Sequence, residues 1–353
     1  MIDFWRGKRV LVTGHTGFKG SWLCLWLQSL GAETCGYALA PPTVPSLFAA
    51  ADVACGMNSI LGDIRDLEGV RRVMAHWQPQ IVLHLAAQAL VSEGYRQPVD
   101  TYAVNVMGTV HMLEAARQTT SVRAVVCVTS DKCYENQGGA KGYQESDIVG
   151  GADPYSSSKG CAELVTAAYR RSFFVPNAGA GVATARAGNV IGGGDWQPER
   201  LVPHLLSALA GGEQALLRHP GAVRPWQHVL EPLGGYLALA QCLWEDGAGF
   251  SEAWNFGPDA DAVKPVAWVA ERLGALWGRP GDWRQKTQTL YHEASVLALD
   301  SAKAHQRLSW RPALSLEEAL RWTVNWAKDF QAGKDMRAAT QNQIAEYQER
   351  TQP

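Results

Sequence analysis

The sequence predicts an α/β fold: a doubly wound parallel sheet with a smaller, mostly α-helical C-terminal domain. Three observations carry this expectation. Up to about residue 190, short β-branched runs alternate with helix-length amphipathic segments, the pattern of a parallel sheet with helices on both faces. The first run passes through a glycine-rich turn into a helix. Beyond residue 190 the alternation loosens into glycine and proline turns among helices, which reads as a cap interleaved with late strands of the sheet.

In chain order, "RVLVTG" is a strand, "GSWLCLWLQSLG" a helix, and "ETCGYAL" and "IVLHLAA" are strands. There follow the helix "NVMGTVHMLEAARQT", the strand "AVVCVTS", the helix "KGCAELVTAAYRRSF" and the strand "VATARAGNV". A sheet of this kind binds ligands at the carboxyl ends of its strands, so chemistry is sought in the residues just after each strand. The second half contains the turns "IGGGDWQPER" and "RHPGAVRPWQHV", the helices "RLVPHLLSALAGG" and "PVAWVAERLGALWG", and a late strand, "AWNFG". Ser315, Leu316, Glu317 and Glu318 open a helix as a capping box, with Leu316, Leu320, Val324 and Ala327 on one stripe. The polar tail after Phe330 is expected to fray.

With 353 residues, nearly half of them apolar, the chain is expected to fold into two domains or one large α/β domain. A net charge of −2 gives no reason to expect nucleic acid or a membrane as partner. The N-terminal segment reads as neither a signal peptide nor a span. Seven cysteines without a CxxC or a His/Cys cluster read as reduced thiols of a cytoplasmic protein without a metal site. The 14 tryptophans read mainly as packing residues.

"VTGHTGFKGSW" places Gly14, Gly17 and Gly20 three apart between the first strand and the first helix. The first glycine permits the tight turn, the second lets the backbone approach a pyrophosphate, and the third lets the helix pack on the sheet. The segment therefore predicts a Rossmann-type dinucleotide site. No Asp or Glu ends the second strand, where Tyr37 stands instead, and no Arg is there to meet a 2′-phosphate. NAD is favoured over NADP. Residues 1–190, with segments of about 226–260 returning to them, form the expected NAD-binding domain, and residues 191–353 the interleaved substrate-binding domain.

"PYSSSKG" contains Tyr155 and Lys159, the only YxxxK of the chain. On a helix these side chains share a face, so the ammonium is expected to lower the pKa of the phenol. A tyrosinate so placed takes a proton from a sugar hydroxyl while hydride leaves the same carbon for a nicotinamide. Ser130 would hydrogen-bond the hydroxyl being oxidised. In "TSDKCYE", Asp131 and Lys132 follow it directly, and an acid beside a base suggests a second reaction on the same sugar.

The GxxGxxG spacing resembles that of the extended short-chain dehydrogenase/reductases. Over about residues 5–330 the chain closely resembles the nucleotide-sugar 4,6-dehydratases and, within them, the CDP-glucose branch, through "GHTGFKGSWL", "YALAPPTVPSLF", "TSDKCYEN", "DPYSSSKGCAEL", "RAGNVIGGGDW" and "RPWQHVLEPL". The dTDP-glucose and GDP-mannose relatives read Asp-Glu where this chain has Asp131 and Lys132. The resemblance implies a CDP-glucose substrate and a three-step reaction. Tyr155 removes the C4 hydroxyl proton as hydride goes to NAD⁺; a base then takes the C5 hydrogen while Asp131 protonates the departing C6 hydroxyl; hydride finally returns to C6. Two roles are open to Lys132: the base at C5, or stabiliser of the enolate while Glu135 or a water takes the proton.

The resemblance also implies cofactor contacts from Gly14, Thr16, Gly17, Phe18, Lys19, Gly20, Asp63, Ile64, Leu85, Ala86, Ala87 and Asn105, in addition to Tyr155 and Lys159. Asp63 reads equally as a loop carboxylate or helix cap. For the substrate it implies Gln88, Ser130, Asn189 and Arg224, the last on the diphosphate, although a structural arginine competes there. It implies a homodimer or tetramer through the helices "NVMGTVHMLEAARQT" and "KGCAELVTAAYRRSF", whose periodicity a buried face within one monomer would also explain. Products of this family usually enter deoxyhexoses of surface polysaccharide. A nucleotide-sugar 4-epimerase and a non-catalytic dinucleotide-binding regulator are the competing readings.

Overall fold

The computed structural model describes residues 2–136, 142–174, 180–285 and 297–351. Seven parallel strands form the central sheet: β1 (Arg9–Thr13), β2 (Glu33–Ala38), β3 (Asn58–Leu61), β4 (Ile81–His84), β5 (Ala124–Val128), β6 (Gly181–Ala187) and, past three short strands, β10 (Ala253–Phe256). Their order is β10-β6-β5-β4-β1-β2-β3. The chain winds outward from β1 to β3, then returns to the other side of β1 to continue with β4, so the order reverses between β1 and β4. A crevice opens at such a reversal, beyond the carboxyl ends of the two strands.

Side-chain alternation explains why these runs are strands buried on both faces. Val10, Val12, Ile81, Leu83 and Val126 point into one core with Trp22, Trp26 and Leu237. Leu11, Val82 and Val125, the residues between them, point into the opposite core with Val70, Met74 and Met112.

The remaining strands, β7 (Asn189–Ile191), β8 (Ala215–Leu217), β9 (Val223–His228), β11 (Val263–Pro265) and β12 (Trp283–Gln285), form two small sheets, β11-β9-β7 and β12-β8. With the helices Leu201–Gly211, Val266–Trp277 and Leu316–Gln331 they surround a third core. The late segment "AWNFG" does supply β10, which pairs with β6 at the sheet edge, and the helix Leu230–Glu245 packs on β5 and β6. The capping box forms as expected, with Ser315 and Glu318 each accepting from the other's backbone N–H.

The tail departs from expectation. Instead of fraying, residues Met336–Thr351 form a helix packed against the first helix of the sheet, Phe18–Ser29. Met336, Thr340, Ile344 and Tyr347 are its buried residues, a stripe too narrow in an otherwise polar segment to stand out as amphipathic. Tyr347 meets Trp26 edge to face at 5.5 Å and donates its hydroxyl to Glu231 at 2.6 Å. Among the described residues no helix is long and apolar enough to cross a membrane.

Candidate active site

A cleft of about 1320 Å³ lies at the β1/β4 reversal. Its floor is the glycine loop. Gly14 has φ +77°, in the left-handed region, and a Cβ there would meet the backbone N of Ala86 at 2.8 Å. A Cβ on Gly20 would stand 2.1 Å from the Gly14 carbonyl oxygen. Side chains at these positions would fill the cradle or push the helix off the loop, so the residues present fit the close backbone approach of a dinucleotide. Thr16 ties the loop to the end of β2 by donating to the Leu39 carbonyl at 2.8 Å. Tyr37, where an acid was sought, donates to the Asp63 carbonyl at 3.1 Å, and the Asp63 carboxylate is engaged by Arg65, which holds it below the usual range.

The reacting groups come from β5 and from the helix Pro154–Phe173. Beyond β5, Ser130 caps a single 3-10 turn, Asp131–Cys133, its Oγ accepting from the Lys132 N–H at 3.2 Å. The Ser130 hydroxyl donates to Asp131 Oδ1 at 2.9 Å. Asp131 is buried, and its Oδ2 has no hydrogen-bond partner among the described residues. Asp153 caps the helix by accepting from the N–H groups of Tyr155 and Ser156, which directs the first turn and its tyrosine into the cleft.

The electrostatics correct one expectation. The Tyr155 phenol is pushed up to about 12, mainly by burial, with Asp131 adding and the Ser130 hydroxyl and Arg200 opposing. Lys159 is not among the main influences on it: its Nζ donates to the Val128 carbonyl at 3.4 Å, and burial brings the lysine itself down to about 8. Spacing on a helix places the two side chains on one face, but desolvation dominates the shift of each. Lys19 is brought down to about 7 by burial and by the nearby Arg200 and Lys159, with Asp131 opposing.

The cleft is lined by Gly14, Thr16–Gly20, Asp63, Ile64, Leu85–Gln88, Ser130–Lys132, Glu135, Tyr155, Lys159, Asn189 and Arg224. Asn105 is the predicted contact that does not line it. Its amide donates to Ser158 Oγ at 2.8 Å and the Gln88 carbonyl at 3.0 Å, and its Oδ1 accepts from the Gln88 N–H. Asn105 therefore braces the loop after β4 against the catalytic helix. The Gln88 side chain likewise folds back, donating to the Leu90 carbonyl and Thr101 Oγ1. Arg224 is buried and donates to its neighbour's carbonyl, that of Val223, at 2.8 Å.

Two groups of the site went unassigned in the sequence. Tyr236 accepts from Lys19 Nζ at 3.2 Å across 217 residues of chain. Arg200 lines the cleft and pairs with Asp195 at 2.9 Å. Neither belongs to a local motif; "GGGDWQPER" hinted at Arg200 only through its acidic and basic residues five apart.

The profile of the family described as GDP-mannose 4,6 dehydratase matches residues 11–246. The chain is 50% identical to a CDP-glucose 4,6-dehydratase of Salmonella typhimurium (strain LT2), over 99% of both chains. The protein belongs to the nucleotide-sugar 4,6-dehydratase family. Among solved structures, this dehydratase resembles a dTDP-glucose 4,6-dehydratase of Streptomyces venezuelae with NAD bound (TM-score 0.79, 24% identity, 93% of this chain and 99% of that one). It also resembles a UDP-glucose 4-epimerase of Thermotoga maritima with UDP-glucose (TM-score 0.80, 22% identity, 92% and 99%). At these identities the two structures establish the fold that dehydratases and epimerases share; the full-length relative separates the two activities.

Proposed function

We propose that this dehydratase converts CDP-glucose to CDP-4-keto-6-deoxy-glucose and water, with NAD held on the glycine loop. One observation carries the reading: Asp131, whose Oδ2 is buried and unpartnered, lines the Tyr155 cleft beside Lys132. An epimerase has no use for an acid there. NAD, when bound, accepts hydride from C4 and returns it to C6, so the reaction involves no net redox change.

Gly14, Gly17 and Gly20 would hold the diphosphate of the cofactor, with Lys159 beside its nicotinamide half. Tyr155 takes the C4 hydroxyl proton, with Ser130 bridging it to Asp131. Arg200 and the Ser130 hydroxyl favour its ionised form against burial. The C4 ketone acidifies C5–H, and Lys132 takes that proton or stabilises the enolate while Glu135 or water does so. Asp131 gives a proton to the departing C6 hydroxyl, and the C6–O bond breaks with release of water. On the substrate side, Asn189 meets the hexose and Arg224 the diphosphate. The choice of CDP-glucose rests on the full-length relative.

The sheet-forming segments, 1–190 with about 226–260, make up the cofactor unit in this reading, and 191–353 the substrate unit, apart from Met336–Thr351, which packs on the helix Phe18–Ser29 of the cofactor unit. A homodimer through the catalytic helix would cover its exposed Leu164.

The test is incubation with CDP-glucose and NAD in deuterated water, followed by NMR and mass spectrometry. A 4-keto-6-deoxy sugar carrying deuterium at C5, without accumulation of reduced cofactor, is expected. A C4 epimer that keeps its C6 hydroxyl would establish an epimerase instead, and an unreacted sugar would remove CDP-glucose as the substrate.

A further inference from the structure

Behind the catalytic turn lies a buried polar network that the mechanism above does not use. Glu163 stands one helical turn beyond Lys159 and two beyond Tyr155, on the same helix. Its buried carboxylate accepts from Arg186 at 2.8 Å, from Thr184 Oγ1 at 2.6 Å and from Thr129 Oγ1 at 2.5 Å. Arg186, equally buried, donates onward to the Tyr134 hydroxyl at 2.6 Å, and its guanidinium lies 4.7 Å from the centre of that ring. Tyr134 in turn donates to Asn255 Oδ1 on β10 at 2.8 Å.

Thr129 immediately precedes Ser130, and Tyr134 immediately follows Cys133. One ion pair thus grips the chain on both sides of Ser130–Asp131–Lys132 and fastens it to the helix that carries Tyr155 and Lys159. A buried ion pair is a poor source of net stability, because desolvating both charges offsets their attraction, whereas an apolar pair of similar volume would pack as well. What charged, forked hydrogen bonds do supply is direction. The charge of Glu163 also supports the protonated form of Lys159 against burial.

We propose that Glu163 and Arg186 are positioning residues for catalysis, setting the Ser130–Asp131–Lys132 turn in register with Tyr155 and Lys159. The inference rests on the dehydratase reading for its kinetic test. Two isosteric substitutions separate positioning from bracing, because Thr129 and Thr184 both bond the same carboxylate but only Thr129 adjoins the catalytic turn. Thr129→Val is expected to lower kcat by about 10-fold with KM changed by less than about twofold, since displacing reacting groups by a fraction of an ångström costs rate rather than affinity. Thr129→Ser, which keeps the donor, restores most of it. Thr184→Val is expected to leave kcat within about twofold, whatever it costs in Tm.

Hydrogen exchange in the unliganded protein gives a readout independent of any substrate. Peptides covering residues 128–136 should exchange faster in Thr129→Val than in Thr184→Val. Equal effects of the two substitutions on kcat and on exchange would overturn the proposal and leave the network a structural brace. If the wild type turns over no nucleotide sugar, the functional reading fails, and the exchange contrast alone decides whether the turn is held in this way. Glu163→Gln, if it folds, should lose more of kcat than Thr129→Val; if it does not fold, the threonine pair still decides.

Discussion

Asp131 divides its carboxylate between two surroundings, one oxygen held by the Ser130 hydroxyl and the other buried without a donor. A buried acceptor left in this way costs about 1–3 kcal/mol. With substrate labelled by ¹⁸O at C6, Asp131→Asn is expected to slow release of labelled water by about 10²- to 10⁴-fold, the usual worth of a general acid, while washout of the C5 hydrogen persists. Equal loss of both would assign Asp131 to positioning alone. At this scale the sequence is informative where neighbours are local. Ser130, Asp131 and Lys132 are contiguous, and Tyr155 and Lys159 are one turn apart on a helix. It does not show the bracing bonds of Asn105 or the direction of the Tyr155 shift, because burial and the partner of an amide are set by distant parts of the chain.

Among the elements, the glycine loop is the most legible, since its chemistry is written in backbone freedom at Gly14 and Gly20. The C-terminal helix is the least legible. Its dock is Glu231, fully buried, whose carboxylate accepts from the N–H groups of Ala313 and Leu314 and from the Tyr347 hydroxyl. Burial pushes Glu231 up to about 7 although these three donors oppose it. Folding therefore takes up a proton between the range of an exposed glutamate and about pH 7. The stability this group contributes is complete below that interval and lost as pH rises through it. The Tm of the wild type relative to Glu231→Gln should accordingly fall between about pH 5 and about pH 8, by roughly 2–4 °C for each kcal/mol of linkage. A gap that stays constant with pH would show that Glu231 is already ionised in the folded protein at acid pH.

For the molecule as a whole, several large apolar side chains stay exposed within the monomer among the described residues. Leu164 and Phe173 on the catalytic helix are 61% and 55% exposed, and Met107, at the end of the π-helical segment Ala103–Met107 that leads into the helix Gly108–Arg117, is 47% exposed. The proposed homodimer would bury Leu164 against a second chain. Leu164→Glu is expected to shift the mass in sedimentation from dimer to monomer, because the substitution would place like charges face to face across a two-fold interface. An unchanged mass would place the oligomer contact elsewhere or dismiss it.

The strand–helix alternation, the glycine turn, the YxxxK spacing and the acid–base pair after β5 are all determined by the sequence alone, because each is a property of residues within a turn or two of one another. Tertiary structure alone decided which buried groups share a field. It sank the Tyr155 phenol and lifted its pKa, turned Asn105 into a brace, docked a polar tail on Glu231, and closed the Glu163–Arg186 pair around the catalytic turn. These outcomes depend on desolvation and on contacts between segments far apart in the chain, and neither is encoded in the spacing of any one segment.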